Sequence, residues 1–124
     1  MTVQEVLYKP ANVTRCSSIF STKEDGLMET HSIFTLAHEK EDEYSDFESQ
    51  LNRIKEAFSQ WKAEKKESQT VLLRFFLSDA ANQASFIRKE DFCNCAISIV
   101  QQPSLDQKSK IMLWSYDIEN VNIN

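Results

Sequence analysis

Seven consecutive residues, Val71-Leu-Leu-Arg-Phe-Phe-Leu77, constrain this chain more than any other stretch. Their β-branched and aromatic character reads as a strand. Alternation puts Val71, Leu73, Phe75 and Leu77 on one face and Leu72, Arg74 and Phe76 on the other. Both faces are largely apolar, so the strand needs cover on two sides and belongs inside a layered sheet. Arg74 is the exception. An unpaired guanidinium on an apolar strand is unfavourable, so it should meet a partner or line a cleft or subunit boundary.

The remaining elements follow from the pattern on either side. Ser78 or Asp79 starts a short helix to about Phe92, anchored by Phe86 and Ile87. Ala96 to Val100 is a nearly apolar strand that runs towards a turn at Pro103. Ile111-Met-Leu-Trp-Ser-Tyr116 is a further strand after a loop containing Pro103 and Asp106. Upstream, Ser45-Asp-Phe-Glu48 has the form of a capping box. Phe47, Leu51, Ile54, Phe58 and Trp61 then recur at helical spacing, one apolar stripe on a helix that ends near Glu64 to Gln69. Lys23-Glu-Asp-Gly26 is a turn signal between Cys16–Ser21 and Met28–Leu36, which together predict an N-terminal hairpin. Ala37 to Tyr44 reads as a solvated connection and Glu119 to Asn124 as a frayed tail. The predicted order is β-β-α-β-α-β-β, an α+β domain with a mixed sheet and two helices on one face. At 124 residues the chain suffices for one core, so residues 1–124 are expected to form a single domain.

Composition excludes some functions. A formal net charge of -5 argues against nucleic acid as a partner, because affinity there comes mainly from Lys and Arg neutralising phosphates. No apolar run is long enough to span a membrane, and Met1-Thr-Val-Gln-Glu5 carries neither the basic nor the apolar region of a signal peptide. A cytoplasmic address is expected, and there Cys16, Cys93 and Cys95 read as free, buried thiols. With His31 and His38 they lack zinc-ligand spacing, and each histidine reads as a surface or loop residue. The acidic run Glu39-Lys-Glu-Asp-Glu43 lacks the spacing and glycine of a cation loop, and Gly26 stands alone rather than in a phosphate loop. No metal or cofactor is expected.

Two segments carry a family resemblance: Thr70-Val-Leu-Leu-Arg-Phe-Phe-Leu-Ser-Asp-Ala-Ala-Asn-Gln83 and Ala96-Ile-Ser-Ile-Val-Gln-Gln-Pro103. They are similar to the V-x-x-x-x-F-L-S/T-D strand and the R-S-A-V-x-V-x-x-L-P strand of the YjgF/RidA (L-PSP) family. The match is strongest over residues 45–118. The resemblance implies a chorismate-mutase-like fold and a homotrimer with sheets facing inward and ligand clefts between subunits. It also implies an arginine that grips the substrate carboxylate of an enamine or imine, and a glutamate that positions water. Counting back from Pro103, the arginine position falls on Asn94; the glutamate position falls on or near Trp114.

That substitution points away from imine hydrolysis. Asn94 is neutral and cannot form the two-pronged contact, and Trp114 is no base. The expected function is therefore a RidA-like oligomer whose inter-subunit cleft holds a small planar metabolite, lined by Asn94, Cys95, Trp114 and Arg74. A flat ligand of little charge is expected there. The alternative is a diverged enzyme of the same superfamily: a deaminase using other groups, a chorismate-hydrolysing type, or an L-PSP-type endoribonuclease.

Overall fold

The computed structural model describes residues 1–21, 24, 26–37, 46–102 and 108–120. His38, the acidic run 39–43, Ser45, Pro103, Asp106 and the last four residues lie outside them, as does part of the turn at 23–26. The elements are β1 (Thr2–Tyr8), β2 (Val13–Ser21), β3 (Leu27–Leu36), α1 (Phe47–Glu64), β4 (Gln69–Leu77), α2 (Ala80–Lys89), β5 (Ala96–Gln101) and β6 (Ile111–Asn120). The six strands form one mixed sheet in the order β1-β2-β3-β6-β4-β5. Only β4 and β5, joined through α2, are parallel. This is the α+β arrangement expected, with β1 added at its start.

The apolar stripe of α1 is its buried face: Phe47, Leu51, Ile54, Ala57, Phe58 and Trp61 meet Phe34, Leu73, Phe75, Leu77 and Leu113 of the sheet. Ile87 of α2 joins the same core, so both helices cover one sheet face. Among the described residues no helix is long and apolar enough to cross a membrane. The cap of α1 is Asp46 rather than Ser45. Its carboxylate accepts from the Ser49 amide at 2.8 Å, the third amide of the first turn. That hydrogen bond holds the Asp46 carboxyl below the usual aspartate range.

β2 and β3 pair antiparallel with Ser21 opposite Met28, the expected hairpin. β1 lies outside it, and the turn between β1 and β2 is pinned to α1. Asn12, at φ 57°, donates its side-chain amide to the Ala37 carbonyl at 2.9 Å, while Arg53 Nε donates to the Ala11 carbonyl at 2.8 Å. Arg53 also reaches the Asn12 and Ala37 carbonyls, each at 3.0 Å.

One irregularity sets what β4 presents. A bulge between Thr70 and Leu72 gives β4 one residue more than β6 opposite it. Thr70 consequently faces the helices with Leu73, Phe75 and Leu77, whereas Val71, expected on that face, is 39% exposed. Leu72, Arg74 and Phe76 face the side that carries no helix, as alternation predicts.

The cysteines depart from expectation. Cys93 and Cys95 form a disulfide, with their Cα atoms 5.6 Å apart. The cause is local: they precede β5 rather than lying in it, and the bend there brings them within disulfide range, closer than extended backbone would place them. Cys16 is free and exposed, not buried.

Candidate functional site on the helix-free sheet face

The register of the sheet builds a row of side chains across the helix-free face. Cys16 of β2 stands opposite Ile33 of β3, Ile33 opposite Trp114 of β6, Trp114 opposite Arg74 of β4, and Arg74 opposite Ser98 of β5. The next row runs Ser18, His31, Tyr116, Leu72 and Ala96. Cross-strand and diagonal neighbours on one face lie within side-chain reach, and here they form a connected cluster. His31 stacks on Trp114 with ring centroids 5.7 Å apart and planes 8° from parallel. It also meets Tyr116 at 4.8 Å and, in a T-shaped contact, Phe20 at 5.9 Å. Arg74 holds its guanidinium carbon 5.1 Å from the centre of the Trp114 ring, within cation–π range. Its Nε donates to Ser98 Oγ at 3.3 Å. Tyr116 donates its hydroxyl to Glu29 Oε1 at 2.6 Å; that bond, with lesser help from burial and from the carboxylate charge, raises the Tyr116 phenol above its ordinary value.

Two of the four residues singled out in the sequence, Arg74 and Trp114, are thus in contact. The others stand apart from them. Asn94 is exposed and precedes β5, four residues before Ser98, which is the β5 residue in the row of Trp114. Cys95 is tied to Cys93 and packs against the helix-covered core. His31, read as a surface or loop residue, is instead a half-buried strand residue at the centre of the ring cluster. Ser98, Tyr116 and Phe20 were not singled out at all. The signal for them is the strand pairing, β3 with β6 for Tyr116, β4 with β5 for Ser98 and β2 with β3 for Phe20, which no local pattern displays.

The opposite face holds a polar layer under the C-terminal half of α1. Arg15 is buried, donating Nε to the Tyr8 hydroxyl at 2.8 Å and a terminal nitrogen to Ser17 Oγ, with its guanidinium carbon 3.9 Å from the Trp61 ring centre. Ser17 Oγ lies 2.7 Å from Ser32 Oγ, and Ser32 stands opposite Ser115. Asp117, 1% exposed, accepts from Ser115, Thr70 and, at 3.2 Å, Lys62 Nζ. Burial raises the Tyr8 phenol above its ordinary value, against the lowering effect of Arg15. Trp61 Nε1 is the buried side-chain nitrogen or oxygen left without a partner among the described residues. The layer is enclosed by α1, so it orders the core rather than meeting a ligand. Among the described residues no three His, Cys, Asp or Glu side chains gather as metal ligands. An open groove between α2 and β5 is lined by Ile87, Arg88, Ile97 and Ile99.

No protein-family model and no curated protein matches this chain. A solved structure does: the crystal structure of "a putative translation initiation inhibitor from Salmonella typhimurium" aligns with a TM-score of 0.53 at 14% identity, over 93% of this chain and 96% of that one. The two chains share a fold. It is the chorismate-mutase-like α+β fold, a six-stranded mixed sheet with two helices. The near-complete coverage of both chains makes the likeness one of whole domains and not of a shared β-α-β fragment.

Proposed function

We propose that this chain is a RidA-like protein that assembles with its own copies through the helix-free sheet face, as a homotrimer, and holds a small planar metabolite in a cleft between subunits. It does so without the standard imine deaminase reaction. The observation that carries the reading is that face itself. Leu72, Phe76, Ile33, Met112, Trp114, Tyr116 and Phe20 lie across it with no helix of the described residues above them, and Phe20 is 43% exposed. Contiguous apolar surface of this kind rarely stays uncovered on a soluble domain. Further support comes from the name of the fold neighbour, which is one used within the YjgF/RidA family.

The negative half of the proposal rests on Asn94 and Trp114. Neither can grip a carboxylate with two charged hydrogen bonds or activate water as a base. On the same face Glu29 is the carboxylate that meets the ring cluster among the described residues, and it is already engaged by Tyr116.

Light scattering at micromolar concentration tests the assembly, with a trimer mass expected and a monomer mass fatal to the reading. Aminoacrylate generated in situ tests the chemistry. Pyruvate should appear no faster than in the uncatalysed control; turnover near that of an arginine-bearing family member, abolished by Asn94→Ala, would establish the enzyme alternative instead.

A further inference from the structure

We propose that the Cys93–Cys95 disulfide is a reversible two-electron site that exchanges with small thiols, rather than a bridge that holds the fold together. The proposal is independent of assembly and of the ligand cleft. Both cysteines pack against the helix-covered core, on the opposite side of the sheet from the face where copies are proposed to meet.

The bond restrains little. A disulfide stabilises a fold chiefly by restricting the unfolded chain, and that effect grows with the length of the loop it closes. These cysteines are two positions apart, so the loop is very short. Nor does the bond join two elements: Cys93, Asn94 and Cys95 all lie in the connection between α2 and β5. That connection has other fastenings. Phe92 packs its ring on Phe75 at 5.0 Å and on Phe58 at 6.3 Å. β4 pairs with β5 from Leu72 opposite Ala96 to Leu77 opposite Gln101, and Ile87 anchors α2 in the core. Opening the bond leaves each neighbouring element attached.

The bond is also within reach. Exchange requires a thiolate to approach one of the two sulfurs. Cys93 and Cys95 are half-buried, and Asn94 between them is exposed. Cys16, the remaining cysteine, lies on the helix-free face, so the attacking thiol comes from outside the chain. Its thiolate bonds to one sulfur and expels the other cysteine as a thiolate, which takes up the proton that the attacking thiol gave up. A second small thiol attacks the mixed disulfide in the same way. The protein gains two electrons and two protons, and the two small thiols leave joined as a disulfide.

The test holds the full chain in glutathione buffers whose reduced-to-oxidised ratio spans about a thousandfold, quenches in acid and alkylates in urea with iodoacetamide. Oxidised protein then carries one alkyl group, on Cys16, and reduced protein three. The native protein should pass from mostly one group to mostly three and back, with its far-UV circular dichroism unchanged. The equilibrium constant for reduction should differ less than about a hundredfold between native and urea-unfolded chain, because that ratio measures how far the bond stabilises the fold. A larger ratio, a pair that stays oxidised or stays reduced across the whole range, or circular dichroism lost on reduction would overturn the proposal. Of the single variants Cys93→Ser and Cys95→Ser, at least one should trap glutathione on the remaining cysteine of the pair, located by peptide mass. Glutathione on neither would count against exchange, and the wild-type readings stand if a variant fails to fold.

Discussion

Arg15 and Asp117 are the residues whose surroundings differ most from what their chemistry prefers. Each is a charged group removed from water, and each is held by hydroxyls: Tyr8 and Ser17 for the one, Ser115 and Thr70 for the other, with Lys62 adding a charged partner to Asp117. Removing one member of such a set strands the rest without partners. Asp117→Ala should therefore lower stability by about 2–3 kcal/mol in urea unfolding, more than a surface charge deletion, because Lys62, Thr70 and Ser115 all lose an acceptor. The Tyr116–Glu29 pair makes a second, pH-dependent expectation. A phenol whose folded pKa is raised favours the protonated form, so its contribution is complete below about pH 10 and is lost as pH rises through the raised value. The phenolate absorbance of Tyr116, isolated by comparison with Tyr116→Phe, should thus develop above the ordinary tyrosine range, and Glu29→Gln should move it down. An unchanged titration in Glu29→Gln would mean that the hydrogen bond does not form in solution.

Among the elements, the amphipathic ones announced themselves and the edge ones did not. The stripe from Phe47 to Trp61 predicted α1 because every residue in it is buried, and the runs in β4 and β6 were legible for the same reason. β1 was missed. Of its residues only Tyr8 is buried, so its sequence shows almost no alternation to read. β2 looked short and mixed because its inward positions include Arg15 and Ser17, polar residues that normally mark the solvent side. The bulge in β4 was equally invisible: it depends on the pairing with β6, and nothing in Thr70-Val-Leu announces it. Its energetic signature should be plain, however. Leu73→Ala should cost about 3 kcal/mol, as a fully buried leucine does, while Val71→Ala should cost below about 0.5 kcal/mol. Equal losses at the two positions would show that β4 runs without the irregularity.

For the molecule as a whole, the same division explains how much of the site could be read. Arg74 was suspect from the sequence because a charge interrupts an apolar strand, and Trp114 because of its place in a family pattern. Their contact comes from the strand order, which places β6 beside β4 although it is last in the chain, whereas Asn94 falls outside their row because β5 begins only at Ala96. The arrangement of the cysteines has one more consequence. With Cys93 and Cys95 joined, the chain has a single reactive thiol, and Cys16 lies in the same row as Ile33 and Trp114. Nature has placed a chemical footprint on the surface in question. If copies meet there, alkylation of the untouched protein by iodoacetamide should be slow at micromolar concentration and quicken on dilution as the copies part; a rate that matches a free thiol at every concentration would leave that surface open to water.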